Sequence, residues 1–229
     1  MRRTAAFSRV KQVGIIPAMR TSDPEAAVHA SKAILAGGIP IIEVSMACPG
    51  ALTVLEAIVD AHAGEMLVGA GSVVGAEVVG LAALAGVQFI VTPGFSPEAV
   101  EKAVGLDLAI FAGAITPTEV QIASRSGADA VKLFPCYSMG GPRYLRSLRG
   151  QYPDIEFIVS GGVGLENCAD YVRAGACAIG VGGDIIDAES MAAGDHRVFT
   201  VRSKRFREAL AAARLIWEPQ RSINVGEAR

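Results

Sequence analysis

The sequence predicts an α/β protein built as a (β/α)₈ TIM barrel with an N-terminal capping helix. Three observations carry that prediction. Eight short runs rich in aliphatic and β-branched residues recur at roughly 20 to 25 residues, over 13–19, 39–46, 66–70, 87–92, 108–112, 130–134, 156–160 and 177–181. A helical pattern follows each run, as in 24–35, 51–63 and 117–124. Glycine then stands just ahead of several following runs, at Gly37-Gly38, Gly86, Gly127 and Gly175, where a helix needs a left-handed end. Strict alternation requires parallel strands, because each crossover must be a helix. Eight such units close into a barrel, and an open doubly wound sheet is the structural alternative.

Each element has a local reason. Thr21-Ser22-Asp23-Pro24 and Ser96-Pro97-Glu98 offer a capping side chain followed by proline, which starts a helix. The segment through Lys11 reads as a helix over one end of the barrel, and 195–215 reads as the last helix. A loose tail is expected from about residue 218. No stretch has the composition of an interdomain linker, so residues 1–229 are expected to form one domain.

Composition narrows the class further. Of the 229 residues 51% are hydrophobic but only 6% aromatic, and there are 26 glycines. That mix suits buried parallel strands and small-residue helices rather than an aromatic-rich sandwich. The net charge is −2 with scattered basic residues, so nothing argues for a nucleic-acid partner. The charge-free stretch 78–97 is broken by Gly86, Gln88, Pro93 and Gly94. It reads as helix, turn and strand, not as a membrane span. The Met1-Arg2-Arg3 start lacks the apolar core of an export signal, so export is not indicated and a cytoplasmic protein is expected. Cys48, Cys136, Cys168 and Cys177 have no metal or redox spacing and are expected as reduced, mostly buried thiols. His29, His62 and His196 fall in or at helical patterns, not at strand ends, so no metal site and no cofactor is expected.

In a barrel the reacting groups converge at the C-terminal ends of the strands. Those ends carry Arg20, Glu43 with Ser45, Ser72, Thr92-Pro93, Thr116, Lys132 with Phe134, Ser160-Gly161-Gly162 and Gly182-Gly183-Asp184. Alternation puts Glu43 on one face with Ile41 and Ser45, and Lys132 on one face with Ala130 and Phe134. Both can point inward from almost wholly apolar runs. A buried structural ion pair is one reading. The functional one is that burial favours the neutral amine that attacks a carbonyl while Glu43 relays protons. The glycine dyads after strands seven and eight stand where barrels commonly bind phosphate through backbone N–H groups, although glycine there can also serve only a tight bend.

Taken together these residues resemble the 2-keto-3-deoxy-6-phosphogluconate and 2-keto-3-deoxy-6-phosphogalactonate aldolases, including the 4-hydroxy-2-oxoglutarate aldolases. The resemblance covers about residues 10 to 212. It rests on Ile15-Ile16-Pro17 with Arg20, Ala36-Gly37-Gly38-Ile39 leading to Ile42-Glu43-Val44, Gly69-Ala70-Gly71-Ser72-Val73, and Thr92-Pro93-Gly94-Phe95. It continues through Thr116-Pro117-Thr118-Glu119 and Gly127-Ala128-Asp129-Ala130-Val131-Lys132-Leu133-Phe134-Pro135 to Gly161-Gly162-Val163. It implies that Lys132 forms a Schiff base, that Glu43 is the acid/base and that Arg20 and Ser72 hold the substrate carboxylate. It implies further that Pro93 and Phe134 wall the pocket, with Thr116 also at the substrate. The phosphate of a 6-phosphorylated 2-keto acid would meet Ser160, Gly161, Gly162, Gly182, Gly183 and Asp184. A homotrimer that needs no metal is implied as well.

Two positions depart from the pattern. Ala47 stands where the gluconate branch has an arginine for the carboxylate. The string Glu43-Val44-Ser45-Met46-Ala47-Cys48-Pro49 is closer to the galactonate branch, which has a glutamate and a proline at this spacing and an arginine matching Arg20. Asp184 stands where relatives usually have serine or alanine, and a carboxylate within about 4–6 Å of a phosphate opposes its binding unless it turns away or pairs with a cation. A barrel that binds a metabolite without turnover is therefore one alternative. A sugar-phosphate epimerase or a thiamine-phosphate synthase is another, but it would need metal ligands or a basic cluster that the sequence lacks. Cys136 reads as packing, Asp107 and Asp129 as caps or solvated charges on the far rim, and Arg202, Lys204, Arg205 and Arg207 as the polar face of the last helix.

Overall fold

The computed structural model describes residues 3–62 and 64–216, and the tail expected from residue 218 lies outside them. In chain order the elements are α1(Arg3–Val13), β1(Ile15–Met19), α2(Pro24–Ala36), β2(Ile41–Ser45), α3(Ala51–His62), β3(Leu67–Gly71), α4(Ala76–Leu84), β4(Phe89–Val91), α5(Pro97–Gly105) and β5(Ala109–Ala114). They continue with α6(Pro117–Arg125), β6(Ala130–Leu133), a 3₁₀ turn (Tyr137–Met139), α7(Pro142–Gln151), β7(Phe157–Ser160), α8(Cys168–Arg173), β8(Ala176–Val181), α9(Ala188–Ala192) and α10(Arg197–Ile216). The eight strands run parallel in sequence order, and β8 pairs β1 to close the barrel. The open-sheet alternative is thereby excluded. Among the described residues no helix is long and apolar enough to cross a membrane.

Strand alternation divides the apolar residues into two cores. Ile42, Val44, Val131 and Leu133 face outward and pack with the helices. Ile16, Ile41, Leu67, Phe89, Phe111, Ala130 and Ile158 fill the interior. Glu43 lies two residues beyond Ile41, and Lys132 two beyond Ala130, so both inherit the inward direction with the mouth ahead of them. The other end is plugged by α1, whose Ala6 and Val10 join the interior core and whose Phe7 ring lies 5.8 Å from that of Phe111. Asp129 anchors this plug, pairing with Arg3 at 2.8 Å and accepting from the N–H of Ile110 at 2.8 Å. One of the two far-rim aspartates is thus a tether between the capping helix and the sheet.

Helix starts follow the sequence signals. Asp23 accepts from the N–H groups of Glu25 and Ala26, and Ser96 accepts from that of Ala99. Several boundaries differ from the sequence reading. β1 begins at Ile15 because α1 runs through Val13 and Gly14, at φ +77, turns the chain between them. Phe134 lies just past β6. The short α9, capped by Asp187, and the 3₁₀ turn were not legible as periodic patterns, being five and three residues long.

Candidate active site

A cavity of about 230 Å³ opens at the C-terminal ends of the strands. It is lined by Arg20, Glu43, Ser72, Pro93, Lys132, Phe134, Ser160, Gly161, Gly162, Gly182, Gly183 and Asp184. Twelve of the thirteen residues expected at the site therefore come together. The exception is Thr116, which is exposed and is not among the lining residues. Its hydroxyl accepts from the N–H of Glu119, whose carboxylate accepts in return from the N–H of Thr116. This is a capping box at the start of α6. Local helix initiation thus claims a side chain that strand-end reasoning assigned to substrate. Larger clefts lie outside the barrel, between α1 and α10 and between α4 and α5. The strand-end cavity is the one with a buried ionisable pair.

That pair defines its centre. Lys132 Nζ lies 4.0 Å from Glu43 Oε1, and the two residues are 8% and 6% exposed. The same Nζ stands 5.3 Å from the centre of the Phe134 ring. β2 and β6 sit far apart around the closed barrel, so the side chains meet by reaching across it. Space for Glu43 comes from Gly71, where a Cβ would overlap the glutamate's Oε1, Cδ and Cγ. Sequence reasoning singled out Gly71 only as part of a family motif. Its available signal was two glycines, Gly69 and Gly71, two apart in one strand, which marks a close approach on one face.

The walls are held by specific bonds. Ser72 adopts φ +58, uncommon for a residue with a Cβ, and its hydroxyl is 2.9 Å from that of Ser45. Buried Thr92 accepts from the N–H of Gly113 at 2.8 Å and so fixes the turn into Pro93. At the other side of the mouth Gly161 and Gly162 have φ of +81 and +76. Among the described residues the N–H groups of Gly161, Gly162, Gly182 and Gly183 donate to no acceptor. The tip of Arg20 reaches over Gly182, 3.4 Å from where a Cβ would stand. The hydroxyl of Ser160 is buried without a partner. Cys136, close by in sequence, is a buried thiol pushed up to about 11 by burial and donates weakly to the carbonyl of Gly141 at 3.7 Å. It packs, as expected. Cys168 is buried too, whereas Cys48 and Cys177 are half-buried.

A closed parallel barrel whose mouth buries a lysine beside a carboxylate, with a proline and an aromatic ring lining the same cavity, has the equipment of an enzyme that works at a carbonyl carbon. Comparison with known proteins specifies which. The family model for KDPG and KHG aldolase matches residues 7–201. The chain is 34% identical to the 2-dehydro-3-deoxy-phosphogluconate aldolase of Treponema pallidum, over 87% of this chain and 94% of that one. It is also 34% identical to the 2-dehydro-3-deoxy-6-phosphogalactonate aldolase of Escherichia coli K12, over 86% and 96%. A solved structure described as native KDPGal superposes with a TM-score of 0.83 at 31% identity, covering 88% of this chain and 96% of that chain. The chain belongs to the KDPG and KHG aldolase family and is an aldolase, a carbon–carbon lyase.

Proposed function

We propose that the chain cleaves a 2-keto-3-deoxy sugar acid, or a related 4-hydroxy-2-keto acid, to pyruvate and an aldehyde through a Schiff base on Lys132. The observation that carries this reading is the buried pair of Lys132 and Glu43, 4.0 Å apart and both lining the strand-end cavity. The neutral amine of Lys132 attacks C2 of the keto acid, and the carbinolamine loses water with a proton supplied by Glu43. The resulting iminium is an electron sink. Glu43, directly or through one water, takes the proton of the C4 hydroxyl. The C3–C4 bond then breaks, its electrons pass to the iminium nitrogen, and the aldehyde leaves. Protonation of the enamine at C3 and hydrolysis release pyruvate and restore the amine.

The remaining lining residues have positioning roles. Arg20 and Ser72 orient the substrate carboxylate, with Ser45 holding the Ser72 hydroxyl. Pro93 and Phe134 form the apolar walls. The N–H groups at Gly161, Gly162, Gly182 and Gly183, with Ser160, face the distal end of the substrate, which is a phosphate in the substrates for which the curated relatives are named. The resemblance further supports a homotrimer. The test is pyruvate release from a panel of 4-hydroxy-2-keto acids with and without EDTA. Release that is insensitive to EDTA is the expected result. No release from any member, or release that a divalent ion must restore, would overturn the reading.

A further inference from the structure

The groove between α1 and α10 lies at the end of the barrel away from the strand-end cavity and takes no part in the reaction described above. It holds about 650 Å³, a size that suits a small molecule. Arg9 enters it from α1, and Arg207 and Arg214 enter it from α10. Among the described residues no carboxylate lines it, and none of the three arginines forms an ion pair. Two of the guanidinium groups lie over glycines. A Cβ on Gly14 would overlap the head of Arg214, and one on Gly38 would overlap that of Arg207.

Backbone carbonyls account for only part of this positive charge. Arg214 donates to the carbonyls of Lys11 and Gln12 in the last turn of α1, and Arg9 donates to that of Glu65. Arg207 donates to no acceptor among the described residues, unlike its α10 neighbours Arg202 and Arg214. α1 and α2 both end at the groove, and two helix C-termini together carry about one negative charge. Set against three guanidinium groups, that leaves about two positive charges unmatched. Planar guanidinium groups fit the oxygens of phosphate and carboxylate, with two donors presented side by side. Ser8 and Gln12 add neutral donors to the same groove. We propose that this groove is a second ligand site, for a small molecule carrying two phosphate or carboxylate groups. Such a ligand matches the surplus charge and bridges α1 to α10, tying the plug of the barrel to the last helix.

The experiment titrates the full chain with inorganic pyrophosphate and, separately, with malonate, by calorimetry and by Tm. Ionic strength is held constant and low, so that screening does not differ between samples. Saturable binding with a raised Tm is expected, and the anion that binds more tightly says whether phosphate or carboxylate is the group recognised. Arg207→Gln is the decisive variant, because that guanidinium holds no bond within the described protein and its loss should leave the fold intact by circular dichroism. Its Kd should rise about tenfold, the loss of one charge-assisted contact. Arg9→Gln should weaken binding in the same direction. Arg20→Gln, at the strand-end cavity, should leave it unchanged. No saturable binding of either anion, or a Kd unmoved in Arg207→Gln, would overturn the proposal. Binding lost in Arg20→Gln would overturn it too, because the anion would then sit in the strand-end cavity.

Discussion

The carboxylate of Glu43 occupies the space that a side chain on Gly71 would need. Glu43 comes from β2 and Gly71 from the end of the adjacent β3, where Ser45 is the register partner of Gly71. A single methyl group at 71 must therefore move the proposed proton carrier. Gly71→Ala should keep the barrel, judged by circular dichroism, and still form a reducible pyruvate adduct. Cleavage should fall by roughly 100-fold, because displacing a catalytic group by about 1 Å costs this much. Wild-type cleavage in the folded variant would show that the glycine is not what positions Glu43.

Removing the acid/base function while keeping the shape gives a sharper comparison. Glu43→Gln should trap some pyruvate on Lys132 but lose roughly 10²–10⁴-fold in kcat, the usual contribution of general acid/base catalysis. A kcat close to wild type would reduce Glu43 to a structural partner of the lysine.

His62 provides a stability prediction with a defined sign. It ends α3, is buried, and its Nε2 lies 2.7 Å from the hydroxyl of Ser31 on α2. Ser31 donates its one proton to the carbonyl of Val28, so the imidazole N–H donates to Ser31. Burial, reinforced by the charge of Lys32, holds the imidazole below the usual histidine range. The unfolded chain therefore binds the proton more tightly. This group's contribution is complete above the unfolded value of about 6.5 and is lost as pH falls through the lower folded value. Tm of the wild type should drop between pH 6.5 and 5 by more than that of His62→Gln. Parallel Tm curves would contradict the assignment.

The capping helix is predicted to contribute stability without chemistry. Asp129 accepts from the N–H of Ile110 and pairs with Arg3 at the end of the barrel away from the cavity. Asp129→Ala leaves that N–H unsatisfied and should cost about 1–3 kcal/mol in urea unfolding, with kcat unchanged at a temperature where the variant is folded. A fall in kcat with unchanged stability would contradict this division of labour.

The barrel was legible because its signal is global: eight apolar runs at an even spacing leave few other ways to bury them. The inward direction of Glu43 and Lys132 was legible for a local reason, since a period of two fixes a side chain's face once Ile41 and Ala130 are assigned to the core. What sequence reasoning could not reach depended on distance. The overlap between Gly71 and Glu43, the Ser45–Ser72 bond and the reach of Arg20 toward Gly182 join residues from different segments, and no periodicity encodes them. Thr116 shows the opposite failure. Its Thr116-Pro117-Thr118-Glu119 string was visible, but the same residues that resemble a substrate-facing motif satisfy a capping box, and the local hydrogen bonds won.

The central claim is that Lys132 is the covalent nucleophile, and pyruvate with borohydride tests it most directly. The protein should gain one three-carbon adduct per chain, and peptide mass spectrometry should map it to Lys132. Lys132→Arg should gain none, because a guanidinium stays protonated and cannot form the imine. An adduct mapped to Lys32 or Lys102, or none in a wild-type protein that releases pyruvate from its substrate, would contradict the account.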